Sequence, residues 1–295
     1  MSSIAYIADD KMINYHRISG HRKINFWRQK TNRAFSNFTI GDFLFFLTKT
    51  PQEGDRKEKG IIGYGKLTDS RTLTIEKMWQ EYHKMNGYDN IDDLKKAILK
   101  TTKEDKLPNE MNCLLLENVV YFNSPIYLSD IGMNISKNIE SYIYLNHNDH
   151  AIASKIIQKA RQQGVDLWAS LIYGDDEDLI LEENEVEIII TKAYETLLSI
   201  KHSPHDYKII KEILKRYMMK NSFKYIKDCK TIIYHYQDNI LQLGFALINN
   251  KQSSNKYKQT IGESILYKEF IEKNYDYPIK VEIILIDRYN NKVEL

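Results

Sequence analysis

The chain has 295 residues, with 42 Lys and Arg against 40 Asp and Glu, so a formal charge of +2 leaves room for strong charge only locally. The length favours two domains over one or three, and two cysteines, Cys113 and Cys229, far apart and in no CxxC, do not suggest a disulfide framework or a thiolate metal site. No apolar run approaches the roughly 20 residues that span a bilayer, and MSSIAYIADDK lacks the basic and apolar regions of a secretory signal, so a cytoplasmic protein is expected.

In chain order, the first distinctive feature is charge. From Lys11 to Gly41 the sequence has seven basic residues and no Asp or Glu, with Phe26 and Trp27 in its middle. Solvated faces normally mix signs, and basic charge interleaved with aromatics is the composition of a nucleic-acid surface. After the turn signal Gly41-Asp42, the run Phe43 to Leu47 predicts a strand buried on both faces. GIIGYGKLTD predicts a second strand, whose glycines mark a bulge, a bend or a close approach of backbone or ligand. Residues 74–100 read as helical, with Asp89 or Asn90 as a cap. CLLLENVVYF predicts a buried strand, followed by a Pro-started turn. AIASKIIQKARQQG predicts a helix closed by Gly164. The acidic run 175–187 reads as a solvated face, with self-inhibition of a basic surface as the alternative. Beyond it, Lys208, Lys211, Lys215, Arg216 and Lys220 decorate a helix, and the remainder reads strand, hairpin turn, strand, helix, strand.

The order of a Trp-containing basic segment (INFWRQKTNRAF), a GDFLFFLTK strand and a KGIIGYGKL strand resembles the EVE/PUA-like modules, the open-barrel group that includes the YTH and ASCH domains. The match spans residues 14–145, and the helical stretch around 79–99 departs from the compact family pattern. The resemblance implies a pocket for one nucleobase, often modified, taken out of a DNA or RNA strand. Unstacking such a base is offset by aromatic stacking and by hydrogen bonds to its edge. Phe26, Trp27, Tyr64, Trp79 and Tyr82 are the candidate walls; Asn25, Thr31, Asn32 and the backbone at Gly63 are candidates to read the edge. Arg22, Lys23, Arg28, Lys30 and Arg33 are the candidate phosphate contacts, which hold register without reading sequence. A Trp in a small barrel also serves as core, so Trp27 has both readings.

The order helix, short strand (SFKYIK), strand, strand, helix, strand over 205–287 resembles the restriction-endonuclease-like (PD-(D/E)xK) core. That chemistry needs an Asp at a strand end and Glu-x-Lys on the next strand, holding Mg²⁺ and orienting the attacking water. Asp238 stands at the first position, but Gln242-Leu243-Gly244 supplies neither the second acid nor the Lys. Glu263 to Lys268 is similar to the Gln-xxx-Tyr helix of some exonuclease-type members. The resemblance therefore implies Asp238, Glu263 and Lys268 as catalytic groups, with Mg²⁺ as cofactor if the domain cuts and none otherwise. Little or no cleavage is expected. His147 with His150 and His202 with His205 lack a third ligand at clear spacing, so no metal is expected there.

These readings combine into an α+β fold. It has an N-terminal PUA-like open β-barrel with a helical insertion (1–146), a helical acidic connector (147–200) and a C-terminal α/β domain (201–295). The expected function is recognition of a modified or flipped base in modification-dependent DNA restriction or defence. The alternative is a non-catalytic reader of modified RNA with an assembly domain. DNA or RNA is the expected partner, no membrane is, and homodimerisation stays open.

Overall fold

The computed structural model describes residues 3–30, 35, 37–50, 58–102, 106–133, 139–145, 152–168, 171, 177–197, 202–249, 251, 254–275 and 278–293. The chain divides into two compact units, Met1–Glu182 and Glu183–Leu295. The whole is α+β, with a curled half-barrel sheet in the first unit and, elsewhere in the chain, helical and α/β parts.

The first unit runs β1 (Ile4–Ile7), α1 (Asp10–Ile18), β2 (Ile24–Gln29), β3 (Phe43–Leu47), β4 (Ile61–Leu73), α2 (Ile75–Tyr82), α3 (Ile91–Leu99), β5 (Met111–Ile126), β6 (Tyr142–Tyr144) and α4 (Ile152–Gln163). Among the described residues its sheet has the order β2-β5-β4-β3-β1-β6, with β1 parallel to β3 and every other pair antiparallel. All five residues of β3 are buried, as its unbroken apolar run requires. Leu44 and Phe46 join the main core with Ile4, Ile24 and Phe26, while Phe43 and Phe45 pack against Tyr64 on the opposite face. The glycines of β4 serve a backbone approach. A Cβ at Gly63 would lie 2.5 Å from the Val120 carbonyl oxygen, and the β4–β5 register shifts on either side of it. Such irregularities bend a strand pair and strengthen its twist, which curls the sheet.

The expected helical insertion lies between β4 and β5. Asn90 is the cap of α3, its side chain accepting from the Asp93 N–H. Where the sequence suggested a turn beginning at Pro125, β5 continues to Ile126. Its pairing with β2 ends at Leu116, which leaves that side of the strand open around Pro125, while β4 pairs with β5 as far as Ile126.

The second unit contains the part of α5 (Glu177–Thr196) from Glu183 on, then α6 (Pro204–Met218), β7 (Lys224–Tyr225), β8 (Ile232–Gln237), β9 (Ile240–Ala246), α7 (Asn255–Asn274), β10 (Lys280–Ile286) and β11 (Lys292–Val293). Among the described residues the sheet order is β11-β10-β9-β8-β7. β8 and β9 form a hairpin, with Asp238 and Asn239 both at positive φ in its turn, and α7 carries the chain from β9 to the parallel strand β10. Leu241, Leu243 and Phe245 pack on Tyr267 and Ile271 of α7 and on Ile189 and Ile190 of α5. On the other face Ile233, Ile284 and Ile286 meet Ile210, Ile213 and Leu214 of α6. The acidic run is not wholly a solvated face, because Glu185 and Glu187 are buried. The Tyr234 hydroxyl hydrogen-bonds Glu187, giving that carboxylate a buried partner. Among the described residues no helix is long and apolar enough to cross a membrane.

Candidate nucleic-acid interface

A cavity of about 340 Å³ opens beside β2. It is bounded by Tyr6 to Asp9 at the end of β1, by residues 26–29 of β2, and by Lys49, Thr101 and Glu140. Successive residues of a strand point to opposite faces, so a hollow that touches four in a row lies along the strand's edge. Among the described strands β2 is the edge of its sheet, paired to β5 alone. Its free side therefore presents backbone donors and acceptors to the cavity. Tyr6 and Phe26 meet edge to face at 5.3 Å, and Tyr6 stacks on Tyr142 at 5.7 Å.

Arg28 is the unusual member of this wall. It is 8% exposed, its guanidinium lies 4.0 Å from the centre of the Phe35 ring, and among the described residues its buried Nε has no hydrogen-bond partner. A buried donor left unpaired costs about 1–3 kcal/mol, and Arg28 is part of the cavity wall. Asp9 has other work, capping α1 by accepting from the backbone N–H groups of Lys11 and Met12. The exposed Lys49 and Glu140 place one charge of each sign at the rim. Gln29 and Thr101 are shared with a neighbouring hollow that reaches Thr102, Lys106 and Asn109.

Of the residues expected to form a base pocket, Phe26 and Trp27 line this cavity. Trp27 is only 8% exposed, and its indole N–H donates to the Asn86 carbonyl at 3.0 Å. Asn25 is fully buried and donates to the Asn86 side chain at 2.8 Å. Tyr64 lies in the aromatic packing of Phe43, Phe45 and Phe122. Trp79 and Tyr82 are on α2, Trp79 with its ring 6.1 Å from His83 and Tyr82 buried. Thr31, Asn32 and Arg33 lie outside the described residues, as do His147 and His150. The sequence did not single out Tyr6, Asp9, Lys49 or Glu140, which reach the cavity from distant parts of the chain. The one local signal was Asp9, an acid between a strand and a helix.

The basic stretch is neutralised more than its sequence suggests. Lys23 pairs with Glu117 and Lys30 with Glu110, both at 2.6 Å, and Arg17 pairs with Asp166. Such half-exposed pairs contribute about 0–1 kcal/mol, and they place acids beside the cations.

In the second unit Asp238, Glu263 and Lys268 do not converge. Asp238 is in the turn after β8. Glu263 lies near the start of β8, in a hollow with Lys230 and Thr231 that neither Asp238 nor Lys268 lines. The length of β8 thus separates the two acids by roughly 20 Å. Lys268 points to Glu272 at 3.8 Å. Burial pushes the Glu263 carboxyl up to about 7. Gln242 donates to Glu282 at 3.0 Å, and a Cβ at Gly244 would lie 2.6 Å from Ile233 Cγ1. Among the described residues no group of three His, Cys, Asp or Glu side chains could hold a metal ion. This donor set does not fit Mg²⁺, and no cleavage step is derived from it.

No family model and no curated protein matches the chain. Among solved structures it is similar to ASCH from Zymomonas mobilis, at 13% identity over 53% of this chain and 94% of that chain, with a TM-score of 0.36. A Tyr-to-Phe mutant of the same protein gives 13% identity over 54% and 98% of the two chains, with a TM-score of 0.37. At this level of similarity the likeness supports no residue assignment and no activity.

Proposed function

We propose that this protein binds nucleic acid and that the cavity along the free edge of β2 receives a single base taken out of a strand. The carrying observation is Arg28, a buried guanidinium in the wall of an aromatic-lined cavity, whose Nε has no hydrogen-bond partner among the described residues. Its volume falls in the range of about 300–1,000 Å³ common for small-ligand sites. Arginine suits the acceptor atoms of a base edge, while the half-buried Tyr6 supplies apolar surface for its ring. Between the two uses expected from the sequence, the separation of Asp238, Glu263 and Lys268 favours a reader of modified bases that does not itself cut.

An abasic competitor tests the pocket. Wild-type protein should bind a strand carrying modified bases better than the same strand with an abasic position. Arg28→Met, which keeps the aliphatic length, should lose most of that difference and keep affinity for the abasic strand. Equal wild-type affinity for base-containing and abasic strands, across the DNA and RNA panel, would overturn the reading.

A further inference from the structure

A second charged surface lies in the second unit, and here the charge is not cancelled. Between Tyr207 and Lys230 the chain has eight basic residues and two acids. Lys208, Lys211 and Lys215 are exposed on α6 at spacings of three and four. At 100° per residue they fall within about 60° of one another and span about 10 Å of helix. Their stripe faces away from Ile210, Ile213 and Leu214, which hold α6 on the sheet.

The edge strand extends this stripe. The Tyr225 hydroxyl donates to the Lys211 carbonyl at 3.5 Å, so β7 lies beside the middle of α6. The Lys230 ammonium is 5.4 Å from the centre of the Tyr225 ring. Lys230 and Tyr207 line the same hollow, which ties Lys230 to the first turn of α6. Tyr207 is 40% exposed beside these cations.

The contrast with the N-terminal basic stretch is in the partners. Among the described residues Lys208, Lys211, Lys215 and Lys230 have no ion pair, whereas Lys23, Lys30 and Arg17 are each paired with an acid. Asp206, in the first turn of α6, is already engaged by Lys256 at 2.6 Å. Glu212 is an exposed acid near the stripe, and the exposed Asp228 and the half-buried Glu263 line the hollow that holds Lys230. A row of unpaired cations flanked by exposed tyrosine fits a phosphodiester backbone with bases at its side.

We infer that the face formed by α6 and the β7 edge is a nucleic-acid docking surface, with Lys208, Lys211, Lys215 and Lys230 as phosphate contacts. The inference rests on the nucleic-acid reading above, but on different residues. The surface supplies sequence-independent affinity, and the cavity of the first unit supplies base selection.

The test replaces the four lysines with Gln in the full chain and measures affinity for an abasic strand from 50 to 200 mM salt. Each lost contact lowers the salt slope by about 0.7 on a single strand and 0.9 on a duplex. The fourfold variant should therefore lose about three units of slope, while the fourfold Lys→Arg variant keeps it. Unchanged far-UV circular dichroism and melting temperature show that the Gln variant is folded. An unchanged slope in that folded variant would overturn the surface. So would loss of binding to vesicles rich in anionic lipid with the nucleic-acid slope intact, since that assigns the face to a membrane. If base and abasic strands bind equally but the slope falls, the cavity reading fails and this one stands.

Discussion

Glu263 gives a pH dependence with a definite sign. Its carboxyl sits in a hollow of about 130 Å³ with Tyr194, His202 and Tyr267, and burial raises it from 4.5 to about 7. The native state therefore holds this proton more tightly than the unfolded chain. The group's contribution is fully present below pH 4.5 and is lost as pH rises through 7. A shift of this size corresponds to about 3 kcal/mol at 1.36 kcal/mol per unit. Glu263→Gln supplies a neutral group of similar shape and removes the titration. Urea unfolding of wild type and variant should be compared at pH 5 and pH 9, following the transition of the second unit. The variant should gain about 3 kcal/mol relative to wild type between those two values. With an m-value of about 2 kcal/mol/M, the difference in midpoints should change by about 1.5 M. A wild-type-to-variant difference that is the same at both pH values would refute the buried, unpaired carboxyl.

Asn86→Ala should destabilise the first unit by about 3 kcal/mol, checked by urea unfolding, because Asn86 accepts from Asn25 and donates to the Met78 and His83 carbonyls in a buried setting. Gly244→Ala should cost about 1–3 kcal/mol by the same measurement, since its Cβ would meet Ile233 at 2.6 Å. Placing Glu at 242 and Lys at 244, to rebuild the Glu-x-Lys pattern, should yield a destabilised protein with no Mg²⁺-dependent cutting in a plasmid nicking assay.

The elements that carry long apolar runs or clear caps were legible in the sequence. β3 shows its burial in five consecutive apolar residues, and Asn90 shows the start of α3 through its side-chain cap. The four residues of β1 carry no such signal, and their place is set by pairing with β3 and β6. A minor part of the cavity wall was legible: residues 26–28 are adjacent in the basic stretch, but Tyr6, Lys49 and Glu140 meet them only in the fold. Charge was the most misleading signal. The partners of Lys23 and Lys30 come from residues 117 and 110, which no local window joins to them. The unpaired cations of α6 look like an ordinary solvated helix face until Tyr225 and Lys230 are placed beside them.

Photocrosslinking tests the base pocket most directly, because it reports which residues touch a base. A strand containing 5-iodouracil, irradiated in complex with the full chain and followed by peptide mass spectrometry, should form adducts within residues 6–9 or 26–29. Those adducts should fall several-fold in Arg28→Met. Adducts confined to other parts of the chain, with none at the cavity wall, would contradict a base held along the free edge of β2.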